Sequence, residues 1–156
     1  MTFNTRGLQV MIAENDRTVL EMLQIRLSVA GFHTSMARTG PLALQTLRNS
    51  RPSALVLDLD LPEMNGFEVL EALNPRGEKL PFPTLVMSRK LAAEDIQRAI
   101  RLGARDCMAK PFSGADALER VARLLRKPAP SAAPPPPSQR SPVYIPIGSA
   151  ADLHRF

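Results

Sequence analysis

Four short stretches of this chain carry groups able to do chemistry together. Each lies at the end of an apolar, β-forming run. Glu14-Asn15-Asp16 follows LQVMIA, Asp58-Leu59-Asp60 follows ALVL, Ser88-Arg89 follows TLVM, and Lys110-Pro111 follows the segment 105–109. The chemistry that suits two acidic ends, a hydroxyl and a lysine is phosphoryl transfer to a carboxylate. A carboxylate is a weak nucleophile that can form an acyl phosphate. The charge gathering on the transferring group calls for a divalent cation and a positive side chain. Mg²⁺ commonly takes one or two carboxylates and keeps several waters, which suits a shallow acidic pocket. Singly, each residue has a plainer reading. Asp58 serves as turn chemistry, Lys110 as a solvated lysine, and Ser88 as a helix cap. Their recurrence at one kind of position carries the functional reading.

These groups converge only if the strand ends lie side by side. Residues 8–127 alternate β-rich runs (8–13, 32–36, 54–57, 84–87 and 105–109) with helix-period segments. In the first helical segment Val19, Leu20, Leu23, Leu27 and Ala30 share a face, and Gly31 follows as a stop. The others span about 41–48, 66–73, 92–102 and 115–127, with Ser113 a candidate N-cap for the last. Pro62 and Gly66 are expected to shape the loop before the third. Five β–α units result. The runs LVL and TLVM are continuously apolar, as strands covered on both faces must be. Alternating β and α argues for a parallel sheet with helices on both sides. Such sheets place their sites outside the carboxyl ends of the strands, which is where the four stretches lie.

Composition bounds the class. Of the 156 residues, 44% are hydrophobic, enough for a packed core. No apolar run approaches the ~20 residues needed to cross a bilayer. The N-terminus lacks the apolar block of a secretory signal, so a cytoplasmic location is expected. The single cysteine, Cys107, excludes an internal disulfide framework and any multi-cysteine metal site. Net charge is −1 over residues 1–88, +5 over 89–127 and +1 over 128–156. Eight of the 15 prolines follow Leu125. Each ring fixes φ and removes a donor. The expected division is therefore a folded domain over 6–127 and a proline-rich tail over 128–156.

The chain resembles the receiver domain of bacterial two-component response regulators, the CheY-like family, over roughly four-fifths of its length. The resemblance is carried by Glu14-Asn15-Asp16, by LVLDLDLPEMNGFEVL around Asp58, by Ser88 after TLVM, and by LGARDCMAKPF ending in Lys110-Pro111-Phe112. It implies a flavodoxin-like (βα)5 sandwich with a parallel sheet of order 2-1-3-4-5. It implies Asp58 as phosphoacceptor, Lys110 as a contact to the phosphoryl group, and Ser88 as a hydrogen bond to it upon switching. Mg²⁺ would be held by Glu14, Asn15, Asp58 and Asp60. The donor would be a histidine kinase or a histidine phosphotransfer protein. The protein would signal, with slow self-catalysed phosphoryl chemistry, rather than act as a metabolic enzyme.

Three positions depart from the family pattern. The family has two adjacent acids after strand one, and here the pair is Glu14-Asn15. Losing one charge at ~4 Å from the ion costs ~1–4 kcal/mol, roughly one to three decades of Mg²⁺ affinity. Glu14 and Asp16 offer partial compensation. Cys107 stands where the family has an aromatic switch, and a small buried hydrophobe is the expected role. Arg89 follows Ser88 where the family has a small residue. It has two open readings, contact with the acyl phosphate or exposure to solvent. His33 is expected on the surface.

Arg98, Arg101 and Arg105 in the fourth unit, with Arg120, Arg123, Arg126 and Lys127 in the fifth, make a basic stripe, which is either a solvated helix face or, as the resemblance implies, a face that meets partners. The expected partner there is a protein target; an anionic nucleotide is the alternative. No DNA-binding domain is expected, and aromatic residues for stacking on bases are scarce. Two rival readings stay open: a pseudo-receiver that is seldom phosphorylated because of Asn15, and a receiver that binds a nucleotide through its arginines. In the tail, Val143, Tyr144, Ile145 and Ile147 form a small apolar cluster. Because all five β–α units precede it, removal of residues 128–156 is expected to cost under about 1 kcal/mol. A fall in melting midpoint of more than about 5 °C on truncation would show instead that the tail belongs to the folded unit.

Overall fold

A computed structural model of the protein describes residues 7–77 and 79–126. Five strands and five helices alternate along it: β1 Gln9–Ala13, α1 Arg17–Val29, β2 His33–Ala37, α2 Gly40–Asn49, β3 Ala54–Asp58, α3 Gly66–Leu73, β4 Thr84–Ser88, α4 Ala93–Arg101, β5 Asp106–Ala109 and α5 Gly114–Leu125. All strand pairs are parallel, in the order β2-β1-β3-β4-β5. This is the flavodoxin-like architecture expected from the sequence. The tail cluster and Lys127 lie outside the described residues. Among the described residues no helix is long and apolar enough to cross a membrane.

The sheet divides the core in two because successive side chains of a strand point to opposite faces. Val10 and Ile12 of β1, Val56 of β3 and Met87 of β4 pack with Leu20, Leu23 and Leu27 of α1 and Val121 and Leu124 of α5. Met11 and Ala13 of β1, with Leu55, Leu57 and Val86, face Ala43 and Leu47 of α2, Val69 and Leu70 of α3 and Ala99 of α4. Every residue of β3 and β4 is buried, as their unbroken apolar runs require.

Four of the five helices begin where an N-cap side chain satisfies free amides. Asp16 caps α1, Thr39 caps α2, and Ser113 caps α5. Asn65 caps α3 in a reciprocal box with Glu68. The second strand sits one residue later than expected, over His33–Ala37, because Phe32 turns into the core beneath α1 while His33 N–H pairs with Leu8.

The loop between β3 and α3 is drawn tight against the sheet. A Cβ on Gly66 would stand 2.7 Å from the Asp58 carbonyl oxygen and 2.8 Å from Leu59 Cα. Only glycine allows this approach. The loop turns at Glu63, which has φ 70°. Met64 N–H donates to the Pro62 carbonyl at 2.7 Å, which closes a γ-turn in the conformation that strains a residue bearing a Cβ. Glu63 is exposed, so its side chain contributes little packing in return. Glu63→Gly is expected to stabilise the protein by about 1 kcal/mol, part of the relief being offset by a more flexible unfolded chain. The measurement is the thermal midpoint, with an expected rise of about 3–6 °C.

Candidate functional site

In an open parallel sheet the connections leave in opposite directions from the point where strand order reverses, and a crevice opens there. That point lies between β1 and β3. The two strands end in Glu14, directly after β1, and Asp58, the last residue of β3. Ser88 ends β4, and Lys110 directly follows β5. Glu14, Asp58 and Lys110, together with Asn15, Asp16, Asp60, Arg89 and Lys90, line a cleft of about 360 Å³.

Glu14 and Asp58 are nearly inaccessible, at 1% and 2% exposure. Buried carboxylates need partners, and one ammonium serves both. Lys110 Nζ lies 2.6 Å from Glu14 Oε1 and 3.2 Å from Asp58 Oδ2. The remaining oxygens accept from the backbone: Asp16 N–H donates to Glu14 Oε2 at 2.9 Å, and Asp60 N–H to Asp58 Oδ1 at 3.0 Å. Burial pushes the Glu14 carboxyl above its ordinary range, helped by the nearby Asp58 charge. Lys110 and the Asp16 amide oppose that rise.

Ser88 is engaged with a different acid. Its hydroxyl donates to Asp60 Oδ2 at 3.1 Å and accepts from the Lys90 amide at 3.2 Å. Asp60 also receives the Arg89 amide at 3.4 Å. The same serine oxygen therefore ties the cleft to the loop leading into α4.

Asn15 lines the cleft, and its amide nitrogen is bonded to the segment after β2. Nδ2 donates to the Arg38 carbonyl at 3.1 Å, and Arg38 returns bonds from Nη2 and Nε to the Asn15 carbonyl at 2.8 and 3.2 Å. Asp16, counted above as partial compensation, gives its Oδ1 to the amides of Thr18 and Val19 at the start of α1. Arg38 is a participant that sequence reasoning missed, since only the fold brings residues 23 apart into contact. Arg89, left with two readings by the sequence, has an exposed side chain whose Nη2 is 3.9 Å from Asp16 Oδ2.

The hard oxygens of Glu14 and Asp58 fit a Mg²⁺ ion that keeps most of its water. Glu14 Oε1 accepts no hydrogen bond of good geometry despite its ion pair, so it retains acceptor capacity. Among the described residues no cluster of three or more His, Cys, Asp or Glu side chains forms a ready-made metal cage. The donor set suits a partly hydrated ion rather than a tightly enclosed one.

Cys107 is half-buried, and burial together with the Asp106 charge pushes its thiol up, against the lowering effect of Arg120. It packs with the core on the α2–α4 side and is less enclosed than the sequence implied. His33 is exposed, as expected. The basic face is partly neutralised. Arg98 stacks over Phe67 at 4.2 Å and pairs with Glu71 at 3.3 Å. Arg120 pairs with Asp106 at 3.0 Å, and Arg123 with Glu119 at 4.0 Å. Arg101, Arg105 and Arg126 are exposed.

The sequence model of the response regulator receiver domain matches residues 10–122, which include all of these strand ends. The chain belongs to that family. Response regulator MprA of Mycobacterium sp. strain KMS is 33% identical over 130 residues, covering 83% of this chain and 56% of MprA. The corresponding MprA of Mycobacterium ulcerans is also 33% identical, over 121 residues, 78% of this chain and 51% of the relative. This receiver thus spans about half the length of the curated relatives it matches. Among solved structures, the signal receiver domain of a signal transduction histidine kinase from Syntrophus aciditrophicus is 26% identical. Its TM-score is 0.67, and the match covers 81% of this chain and 99% of that one. Vibrio cholerae chemotaxis protein CheY4 shares the fold at a TM-score of 0.69 and 24% identity, over 76% of this chain and 98% of its own. The family is a signalling family, and receiver domains generally bind Mg²⁺.

The environment of Glu14 in this receiver sets a pH dependence. The folded carboxyl holds its proton to higher pH than the unfolded one, whose ordinary value is 4.5. Above that value the folded state binds more protons, so this group's contribution to stability is present below pH 4.5 and is lost as pH rises through the folded value. Glu14→Gln cannot ionise. Denaturant unfolding in EDTA at about pH 4 and about pH 7 is expected to show the stability difference moving in the variant's favour at the higher pH.

Proposed function

We propose that this receiver accepts a phosphoryl group on Asp58 from a phosphohistidine of a kinase or phosphotransfer protein in the cytoplasm. In this reading it then presents an altered α4–β5–α5 face to a protein partner. The observation that carries the reading is the ammonium of Lys110 set 3.2 Å from Asp58 Oδ2 at the switch point of the sheet.

In the transfer, an Asp58 oxygen attacks phosphorus, and the bond from phosphorus to the donor breaks with its electron pair going to the leaving group. Lys110 lies where it would meet a phosphoryl oxygen as charge builds. Ser88 would exchange Asp60, its acceptor at 3.1 Å, for a phosphoryl oxygen. Bound Mg²⁺, with Glu14 and Asp58 as its anionic ligands and Asp60 beside them, would supply further neutralising charge. Asn15 weakens that supply, because its side chain is neutral where the family has a carboxylate.

Incubation with acetyl phosphate and Mg²⁺ is expected to add one phosphoryl group, about 80 Da by intact mass, and Asp58→Asn is expected to abolish the gain. Labelling of the variant to the wild-type extent, or none of the wild type at high Mg²⁺, would remove Asp58 as acceptor.

Restoring the acid offers a separate check. Asn15→Asp is expected to tighten Mg²⁺ binding by at least about tenfold and to speed labelling at limiting Mg²⁺. Equal affinities in a Mg²⁺ titration would show that Glu14 already supplies the missing charge.

A further inference from the structure

The cleft holds more positive charge than the phosphoryl reading has used. Besides Lys110 it is lined by Arg89 and Lys90, facing Glu14, Asp16, Asp58 and Asp60. Arg89 is placed differently from the other two cations. Its backbone is fixed at the mouth of the cleft, since its amide donates to Asp60 and the next amide donates to Ser88 Oγ. Its side chain is 76% exposed and reaches across to Asp16 Oδ2 at 3.9 Å. An exposed pair at that distance contributes little and opens readily. Asp16 does not depend on it, because its other oxygen is held by the start of α1.

A second cavity adjoins the first. It measures about 380 Å³ and is lined by Val19, Met22, Pro111 and Phe112 together with Arg89 and Lys110. Arg89 and Lys110 are the two residues common to both cavities. Arg89 therefore stands on the rim between an acidic cleft and an apolar recess. Its methylene stem suits the apolar side, and its guanidinium can turn to whatever anion enters.

We propose that Arg89 is a phosphoryl-binding residue. When the donor arrives, its guanidinium leaves Asp16 and takes two phosphoryl oxygens, on the opposite side from Lys110. The proposal rests on Asp58 being the acceptor. A guanidinium matches phosphate as a rigid two-pronged donor, which an ammonium does not. The contact answers a need particular to this chain. With Asn15 neutral, less charge is available to hold a metal ion, and Arg89 supplies positive charge that requires no metal. No covalent bond to Arg89 forms or breaks. With acetyl phosphate, the bond from Asp58 oxygen to phosphorus forms, and acetate departs with the electron pair of the broken phosphorus–oxygen bond. In hydrolysis, water attacks phosphorus, inorganic phosphate leaves and the Asp58 carboxylate returns.

The test compares wild type, Arg89→Met and Arg89→Lys at fixed Mg²⁺. Arg89→Met keeps much of the stem and loses the charge and the fork, and the exposed position spares the fold. The initial rate of labelling by acetyl phosphate, read by intact mass, is expected to fall about tenfold in Arg89→Met. Arg89→Lys is expected to recover part of the loss, and the dependence on ionic strength to become shallower in Arg89→Met. Binding of beryllofluoride, followed by amide chemical shifts, needs no turnover and is expected to weaken by a similar factor. Equal rates and equal beryllofluoride affinity in wild type and Arg89→Met would overturn the role of Arg89 and leave Asp58 as acceptor. Full recovery in Arg89→Lys would overturn the two-pronged contact. Absence of labelling in the wild type would instead overturn the acceptor reading, and the Arg89 proposal with it.

Discussion

Two carboxylates, Glu14 and Asp58, are buried beside one ammonium, and much of the site's geometry follows from keeping that arrangement affordable. Each acid alone would be costly to remove from water. Lys110, at 2.6 and 3.2 Å, offsets part of that cost for both, and two backbone amides satisfy the remaining oxygens. Losing one partner of such a group typically costs about 3–5 kcal/mol, because the charges left behind stay buried. The three residues come from three strand ends, so the arrangement holds only while β1, β3 and β5 keep their register. The sheet is therefore a condition of the chemistry. With two negative charges and one positive, the cluster also retains demand for further positive charge.

That constraint reaches the surface through Ser88. Its hydroxyl bonds to Asp60 within the cleft and to the amide of Lys90, two residues along the loop toward α4. A new partner for that hydroxyl would act on a loop that reaches α4 within a few residues. At its far side α4 is held by Arg98, which stacks on Phe67 and pairs with Glu71 of α3. Cys107 on β5 offers no ring to swing between buried and exposed positions. In this chain the covalent route through residues 88–92 joins the cleft to α4, and Lys110, directly after β5, joins it to β5 and the start of α5.

The fold was largely legible in the sequence because its signals are local. Apolar runs with no alternation mark strands covered on both faces, and 3.6-residue periodicity marks the helices between them. Caps such as Ser113 and stops such as Gly31 fall where chain geometry demands them. The errors were also local. The second strand began one residue late because Phe32 was drawn into the core, a decision made by packing against α1 and invisible to propensity.

Of the site, the sequence by itself determined which residue types stand at each strand end: Glu14, Asp58, Ser88 and Lys110. Position after a strand is a property of the chain and needs no knowledge of neighbours. What stands beside what was decided only in three dimensions. The bridging of two acids by Lys110, the pairing of Ser88 with Asp60 and the clasp between Asn15 and Arg38 join residues 23 to 96 positions apart. Such contacts depend on strand order and side-chain rotamers, and local pattern encodes neither. Arg89 shows the division most plainly. Its position after Ser88 was readable, but its reach to Asp16 across the cleft exists only because β4 and β1 lie on either side of β3.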